Sequence, residues 1–339
     1  MTAPLLFIGP DIRTSTLPSG VGLDQIAPTL EPILGFRRPH PEVRNGQAIP
    51  DITEPGVATP LVVLIVWKGV GTRDVDRLGA PWLRSWSSDH GDGRQRPGDA
   101  HGLASAGSLP LDPIAVESTI GTGALPAQHG ITGTWLRGER GKVTLAFGRG
   151  APPPVVAALG DDLDRFTNGR AKIGLIQDAP GDVGLTGDAW YGSGQVRDRT
   201  LSAGADLPAQ VASFLTEGWG ADATPDLLAV PLSRAVVGDD RATDQIVDEI
   251  LAKVPDATIV VAGTGSLRAD GAAGPPSDPE GIVPTPGGAP AGGFFVDREP
   301  DSTTTAQDVV DEMRGQRNGY EPVYADAFAD YAVRFGRYC

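Results

Sequence analysis

An α/β fold, with a mostly parallel central sheet flanked by helices, follows from three features of this sequence. Short apolar segments rich in β-branched residues alternate with amphipathic segments of helical period, the signature of βαβ units. The strand segments are apolar at every position, as expected of a sheet covered on both faces. At 339 residues and 40% apolar composition the chain can bury a core of that size as one large domain, and 1–339 is read as such.

The elements are expected in the following order. Leu5–Ile8 reads as a strand and Leu23–Leu34 as a helix, together forming a unit over 1–35. The segment 36–60 holds five prolines, several charges and no periodicity, and reads as a linker. Leu61–Trp67 is seven apolar residues in a row and reads as a strand buried on both faces. Val143–Phe147 is assigned to a smaller hairpin within a peripheral insertion over 132–200. Ile173–Ile176, Leu227–Pro231 and Thr258–Ala262 complete the strands. Helices are expected at Leu207–Thr216, Thr243–Val254, Thr305–Met313 and Ala325–Phe335. The helix within 240–253 is the clearest, since Ile246, Val247, Ile250 and Leu251 make one apolar stripe and Lys253 closes the last turn. A Gly/Pro-rich loop spans 265–304.

Composition excludes several functions. A net charge of −15 argues against nucleic acid, which needs a basic face. No apolar run approaches the ~20 residues that span a bilayer, and Met1–Ile12 lacks the basic start and apolar stretch of a secretory signal. No membrane partner and a cytoplasmic location are expected. Cys339 is the only cysteine, so no intramolecular disulfide or cysteine-based zinc site can form, and its thiol is read as part of an ordinary terminus.

Four stretches carry a resemblance. Leu61–Trp67 runs into Lys68-Gly69. Ser118-Thr119-Ile120-Gly121-Thr122-Gly123-Ala124-Leu125-Pro126-Ala127-Gln128-His129-Gly130-Ile131 follows at a distance. Pro225–Val230, the 240–253 helix and Pro255–Ala262 form a strand–helix–strand unit. Leu6–Ile12 with Leu23–Leu30 and Ile33-Leu34-Gly35 opens the chain. Together they resemble the alkaline phosphatase superfamily, in particular its type I phosphodiesterase and nucleotide pyrophosphatase branch. In that family the counterpart of the opening stretch comes last, so the resemblance implies a circularly permuted chain in which 36–60 joins the old ends. It also implies that Leu5–Ile8 pairs in the same sheet as Leu61–Trp67 and Thr258–Val261.

The resemblance places two-metal phosphoryl transfer at the strand ends, and this chain departs from it at each position that can be checked. The family's metal aspartate after the first strand is Lys68, an ammonium that cannot ligate a cation. Its Asp-His after the later strand falls at Gly263-Thr264, the 231–240 segment has no histidine, and the nucleophile position falls near Pro113 with no hydroxyl residue from 109 to 117. The expectation is therefore a degenerate member that has lost the metal centre, has no cofactor, and binds a small, possibly anionic ligand or a partner, or runs a metal-independent reaction. Lys68, Ser118, Thr119, Gly263, Thr264, Trp190 and Tyr191 are the candidate ligand-binding residues, with no catalytic residue assigned. Lys68 either faces an anion with backbone amides near Ser118 and Thr119, or snorkels to solvent. Trp190-Tyr191 either lines a pocket or anchors its loop. Two alternatives stay open. One is a metal-dependent phosphodiesterase or pyrophosphatase with Zn or Mn on a relocated site at Asp89, His90 and His101. The other is a structural subunit of a larger assembly, with the oligomeric state undetermined.

Overall fold

The computed structural model describes residues 2–53, 59–75, 98–107, 112–137, 143–188, 190–192, 196–238 and 242–266, with 282–283 and 295–296. The helices expected at 305–313 and 325–335, most of the 265–304 loop, and Asp89 and His90 lie outside these residues. Residues 1–267 form one compact unit and 268–339 a second. In the second, Ile282–Val283 pairs antiparallel with Phe295–Val296.

The first unit is built on an eight-stranded sheet. Its strands are β1 (Thr2–Gly9), β2 (Ser15–Thr16), β3 (Leu61–Trp67), β4 (Gly98–Ser105), β7 (Ile173–Gln177), β8 (Arg199–Ser202), β9 (Asp226–Leu232) and β10 (Thr258–Gly263); β5 (Trp135–Arg137) and β6 (Val143–Leu145) form a separate hairpin. The spatial order is β2-β4-β1-β10-β3-β9-β7-β8. The block from β10 to β8 is parallel throughout, and β1 alone runs antiparallel to both its neighbours. As expected, β1 joins the same sheet as β3 and β10, with Leu5 opposite Ala262 and Ile8 opposite Ile259.

Why the strands are apolar at every position is plain from the two cores. Successive side chains point to opposite faces. Phe7, Val62, Leu64, Val66, Ala229 and Val260 pack on one side with residues of α1 (Ile26–Ile33), α3 (Pro113–Thr122) and α5 (Leu159–Thr167). Leu6, Val63, Ile65, Trp67, Val230 and Ile259 pack on the other with α6 (Leu207–Thr216) and α8 (Ala242–Lys253). Shorter helical turns are α2 (Thr72–Val75), α4 (Pro126–His129) and α7 (Arg234–Val237).

Three differences from the sequence expectation have physical reasons. β4, reading Gly-Asp-Ala-His-Gly-Leu-Ala-Ser, has no apolar run because it lies near the sheet edge with only part of its length buried. Within 132–200 only the β5–β6 hairpin stands apart, while β7 and β8 belong to the central sheet, where β7 is buried by α5 and α6. The 36–60 segment is not a solvated linker over its whole length, since Phe36, Arg38, Ile49 and Ile52 are buried. Arg38 is fixed there by Asp162 Oδ2 at 2.7 Å and by the carbonyls of Thr122 (2.8 Å) and Ala157 (2.7 Å).

α3 is buried along its whole length and sets the position of the site. Asp112 caps it by accepting from the Ile114 N–H at 3.0 Å, Pro113 opens its first turn, and Gly123 closes it with φ of 71°. The turn 180–185 packs directly on α3, and contact is possible because Gly121 and Gly184 carry no side chains: a β-carbon on Gly121 would meet the Gly184 carbonyl oxygen, and one on Gly184 would meet Ser118. Gly121→Ala should therefore destabilise the protein by about 1–3 kcal/mol, although alanine is the better helix former by about 1 kcal/mol. Urea unfolding of the variant checks this, and a more stable variant would contradict the packing.

Candidate functional site

Lys68 follows β3 directly, at the carboxyl end of the parallel block, where open α/β sheets place their ligands. Its turn is held by neighbouring loops. Lys68 N–H donates to Leu232 O (2.9 Å), Thr264 N–H donates to Trp67 O (3.0 Å), Gly69 N–H donates to Thr264 Oγ1 (2.8 Å), and Gly265 N–H donates to Val70 O (2.9 Å). Gly69 adopts φ of 68°, which glycine permits without strain. Arg234, after β9, pairs with buried Asp74 and so ties a third loop to the same turn.

The Lys68 side chain turns into the protein and not into bulk water. Its Nζ lies 2.7 Å from Asp182 Oδ1 and 3.2 Å from Asp178 Oδ2, and 12% of the side chain is exposed. Asp182 is completely buried, and its second oxygen accepts from the N–H groups of Asp178 and Ala179, each at 2.7 Å. Glu117, from the α3 face opposite, is also completely buried. Among the described residues no N–H or hydroxyl donates to either Glu117 oxygen, and the group it faces is the Asp182 carboxylate. Burial, reinforced by Asp182, pushes Glu117 well above the usual carboxylate range, and Lys68 opposes this only in part. Burial acting alone would lower Lys68, but Glu117, Asp182 and Asp178 more than offset it and hold the ammonium above its ordinary value. Asp112, capping α3, adds a fourth acidic group, itself raised by burial.

The other expected residues fall into place around this cluster or away from it. Gly263 is the last residue of β10 and Thr264 opens the loop that holds the Lys68 turn. Ser118 and Thr119 lie on α3, where their hydroxyls donate to the carbonyls of Ile114 (2.9 Å) and Ala115 (3.0 Å). Trp190 and Tyr191 belong to a second network. Tyr191 Oη donates to Asp162 Oδ1, Trp190 N–H donates to Asp161 Oδ1 (3.2 Å), and the Arg165 guanidinium lies 4.2 Å from the Tyr191 ring centre. His101 sits mid-strand on β4, opposite Leu6, three strands from β3 and so roughly 14 Å from it across the sheet. Among the described residues no group of three His, Cys, Asp or Glu is arranged to hold a metal ion, and no helix is long and apolar enough to cross a membrane.

Sequence reasoning found Lys68 but missed Asp182, Asp178 and Glu117. Asp178 follows β7 directly, so the strand-end logic that singled out Lys68 also applies to it. Glu117 shows as a charge inside an otherwise apolar and hydroxylic helix. An open crevice of about 640 Å³ lies further along the carboxyl ends of the strands, between the loops after β8 and β9. It is lined by Gly204, Asp206, Pro208, Val236, Ala242 and Gln245.

Two buried groups near α3 and α5 make the stability respond to pH in opposite senses. His129 Nδ1 accepts from Ile131 N–H (3.0 Å), which leaves the proton on Nε2, beside Thr119 Oγ1 (3.1 Å). Burial lowers its pKa from 6.5 to about 4, so the unfolded chain binds the extra proton and stability falls by on the order of 3 kcal/mol as pH drops through that window. Burial raises Asp161 from 3.8 to about 6, so there the folded chain holds the extra proton and stability rises as pH drops. In urea unfolding between pH 7 and 4, Asp161→Asn should steepen the loss of stability and His129→Gln should reverse it. Parallel profiles for the two variants would contradict these assignments. No protein-family model matches the chain and no curated protein matches it, so what the cluster does has to be read from its own chemistry.

Proposed function

We propose that this chain is an alkaline phosphatase-like protein, circularly permuted and without the two-metal phosphoryl-transfer centre, that acts by binding a ligand or partner. The observation that carries this reading is the Lys68 ammonium between Asp178 and Asp182, at the strand end where the family's metal aspartate would stand. A lysine there cannot ligate a divalent cation as an aspartate does, and it already occupies a nearby carboxylate. Two further observations support it. The opening strand β1 lies beside β10, the last strand of the sheet in chain order, as expected of a chain whose old ends were joined through 36–60. The crevice lined by Asp206, Val236 and Gln245 offers an open pocket of mixed polar and apolar lining near the carboxyl ends of β8 and β9.

The relocated metal site has one observation in its favour, since His101 Nδ1 and Asp99 Oδ2 lie 3.0 Å apart on β4. Metal analysis of the purified protein, with a phosphodiester and phosphomonoester activity panel, separates the two readings. The proposal expects no stoichiometric Zn²⁺, Mn²⁺, Mg²⁺ or Ca²⁺ and no chelator-sensitive hydrolysis. Near-unit metal that disappears in a His90→Ala, His101→Ala variant would overturn it, as would robust hydrolysis abolished by chelator.

A further inference from the structure

Lys68, Asp182 and Glu117 bring together an amine, a carboxyl group and a proton carrier in a site nearly closed to water. The Lys68 Nζ touches one oxygen of Asp182, at 2.7 Å. The other oxygen accepts two backbone N–H groups, from Asp178 and Ala179. That is the arrangement of an oxyanion hole, with paired donors aimed at the oxygen on which charge would build during attack on the Asp182 carboxyl carbon. Glu117 faces the same carboxyl group, and both acidic side chains have no solvent exposure.

We propose that Lys68 and Asp182 condense to a side-chain amide, with Glu117 carrying the protons. The ammonium first passes a proton to Asp182 Oδ1, leaving a neutral amine and a neutral acid. The Nζ lone pair attacks the carboxyl carbon, and the carbonyl electron pair moves onto Oδ2 between the two N–H groups. Glu117 gives its proton to the departing Oδ1 hydroxyl and takes one from Nζ, so it ends as it began. The new C–N bond replaces the C–Oδ1 bond, and one water leaves. An ammonium and a carboxylate become an amide and water, with no oxidant, cofactor or net proton required. Asp178, at 3.2 Å on the more open side, works against the step by holding the charged form of Lys68. Glu117 and Asp182 hold Lys68 charged more strongly still, and against this the buried pair gains by losing both charges. The amide would lock the turn after β3 to the one after β7, independently of what the fold binds.

Intact mass spectrometry of the denatured full chain tests this directly. The expected mass is lighter than the sequence by one water, with a branched peptide joining the Lys68 and Asp182 fragments after proteolysis. Glu117→Gln should slow the loss of water by about a hundredfold, the usual contribution of a positioned proton carrier, while retaining the folded circular dichroism spectrum. Lys68→Arg, which keeps the charge but not the reactive amine, should show the full sequence mass. An unshifted mass for the native protein after prolonged incubation at neutral pH overturns the proposal. So does a one-water loss without the branched peptide, as would arise from a succinimide at Asp270-Gly271. Either result leaves the ligand-binding reading untouched, because it concerns only the bond between two side chains.

Discussion

The contact between the Lys68 ammonium and Asp182 organises the carboxyl end of the sheet. Lys68 extends from β3, an inner strand of the parallel block, and Asp182 from the turn after β7 that packs on α3. Asp182 is fully buried and Lys68 only 12% exposed, so each needs the other, and removing one partner of a buried pair typically costs about 3–5 kcal/mol because the remaining charge is stranded. Around this contact the loops after β3, β9 and β10 are tied by backbone hydrogen bonds and by the Asp74–Arg234 pair. A close approach between α3 and the 180–185 turn, permitted by Gly121 and Gly184, brings Glu117 to the same point. Side-chain size, backbone donors and charge thus converge on one small volume.

The cluster is acidic as a whole, and this shapes its chemistry. Asp112, Glu117, Asp178 and Asp182 surround a single ammonium. Burial, reinforced by Asp182, pushes Glu117 well above the usual carboxylate range and so favours its neutral form. An added anion would meet carboxylates before it met Lys68. The site is better suited to holding loops together, and to chemistry among its own side chains, than to recruiting a phosphate. For the proposed ligand the better-placed pocket is the crevice at the ends of β8 and β9, where polar and apolar groups share the lining.

Much of the sheet was legible in the sequence because strands buried on both faces leave uninterrupted apolar runs. Leu61–Trp67 and Thr258–Ala262 could be bounded to within a residue for this reason. β4 could not, since a strand near the edge needs no apolar run and its Gly, Asp and His are compatible with a loop. At the site, Lys68 stood out as a charge ending an apolar strand. Asp182 and Glu117 did not, because their roles come from a contact between α3 and a turn more than fifty residues later, and no local pattern encodes such a meeting. Arg38 shows the same limit: its charge, in a proline-rich stretch, read as solvated, while its partners lie on α3 and α5, far along the chain.

A double-mutant cycle between Lys68→Met and Asp182→Asn tests the central contact most directly, with stability read by urea unfolding. If the two side chains hold each other in place, the single substitutions should each destabilise strongly, and the double variant should fall short of their sum by about 2 kcal/mol or more. Additivity within about 0.5 kcal/mol would show that they act independently and would contradict the account.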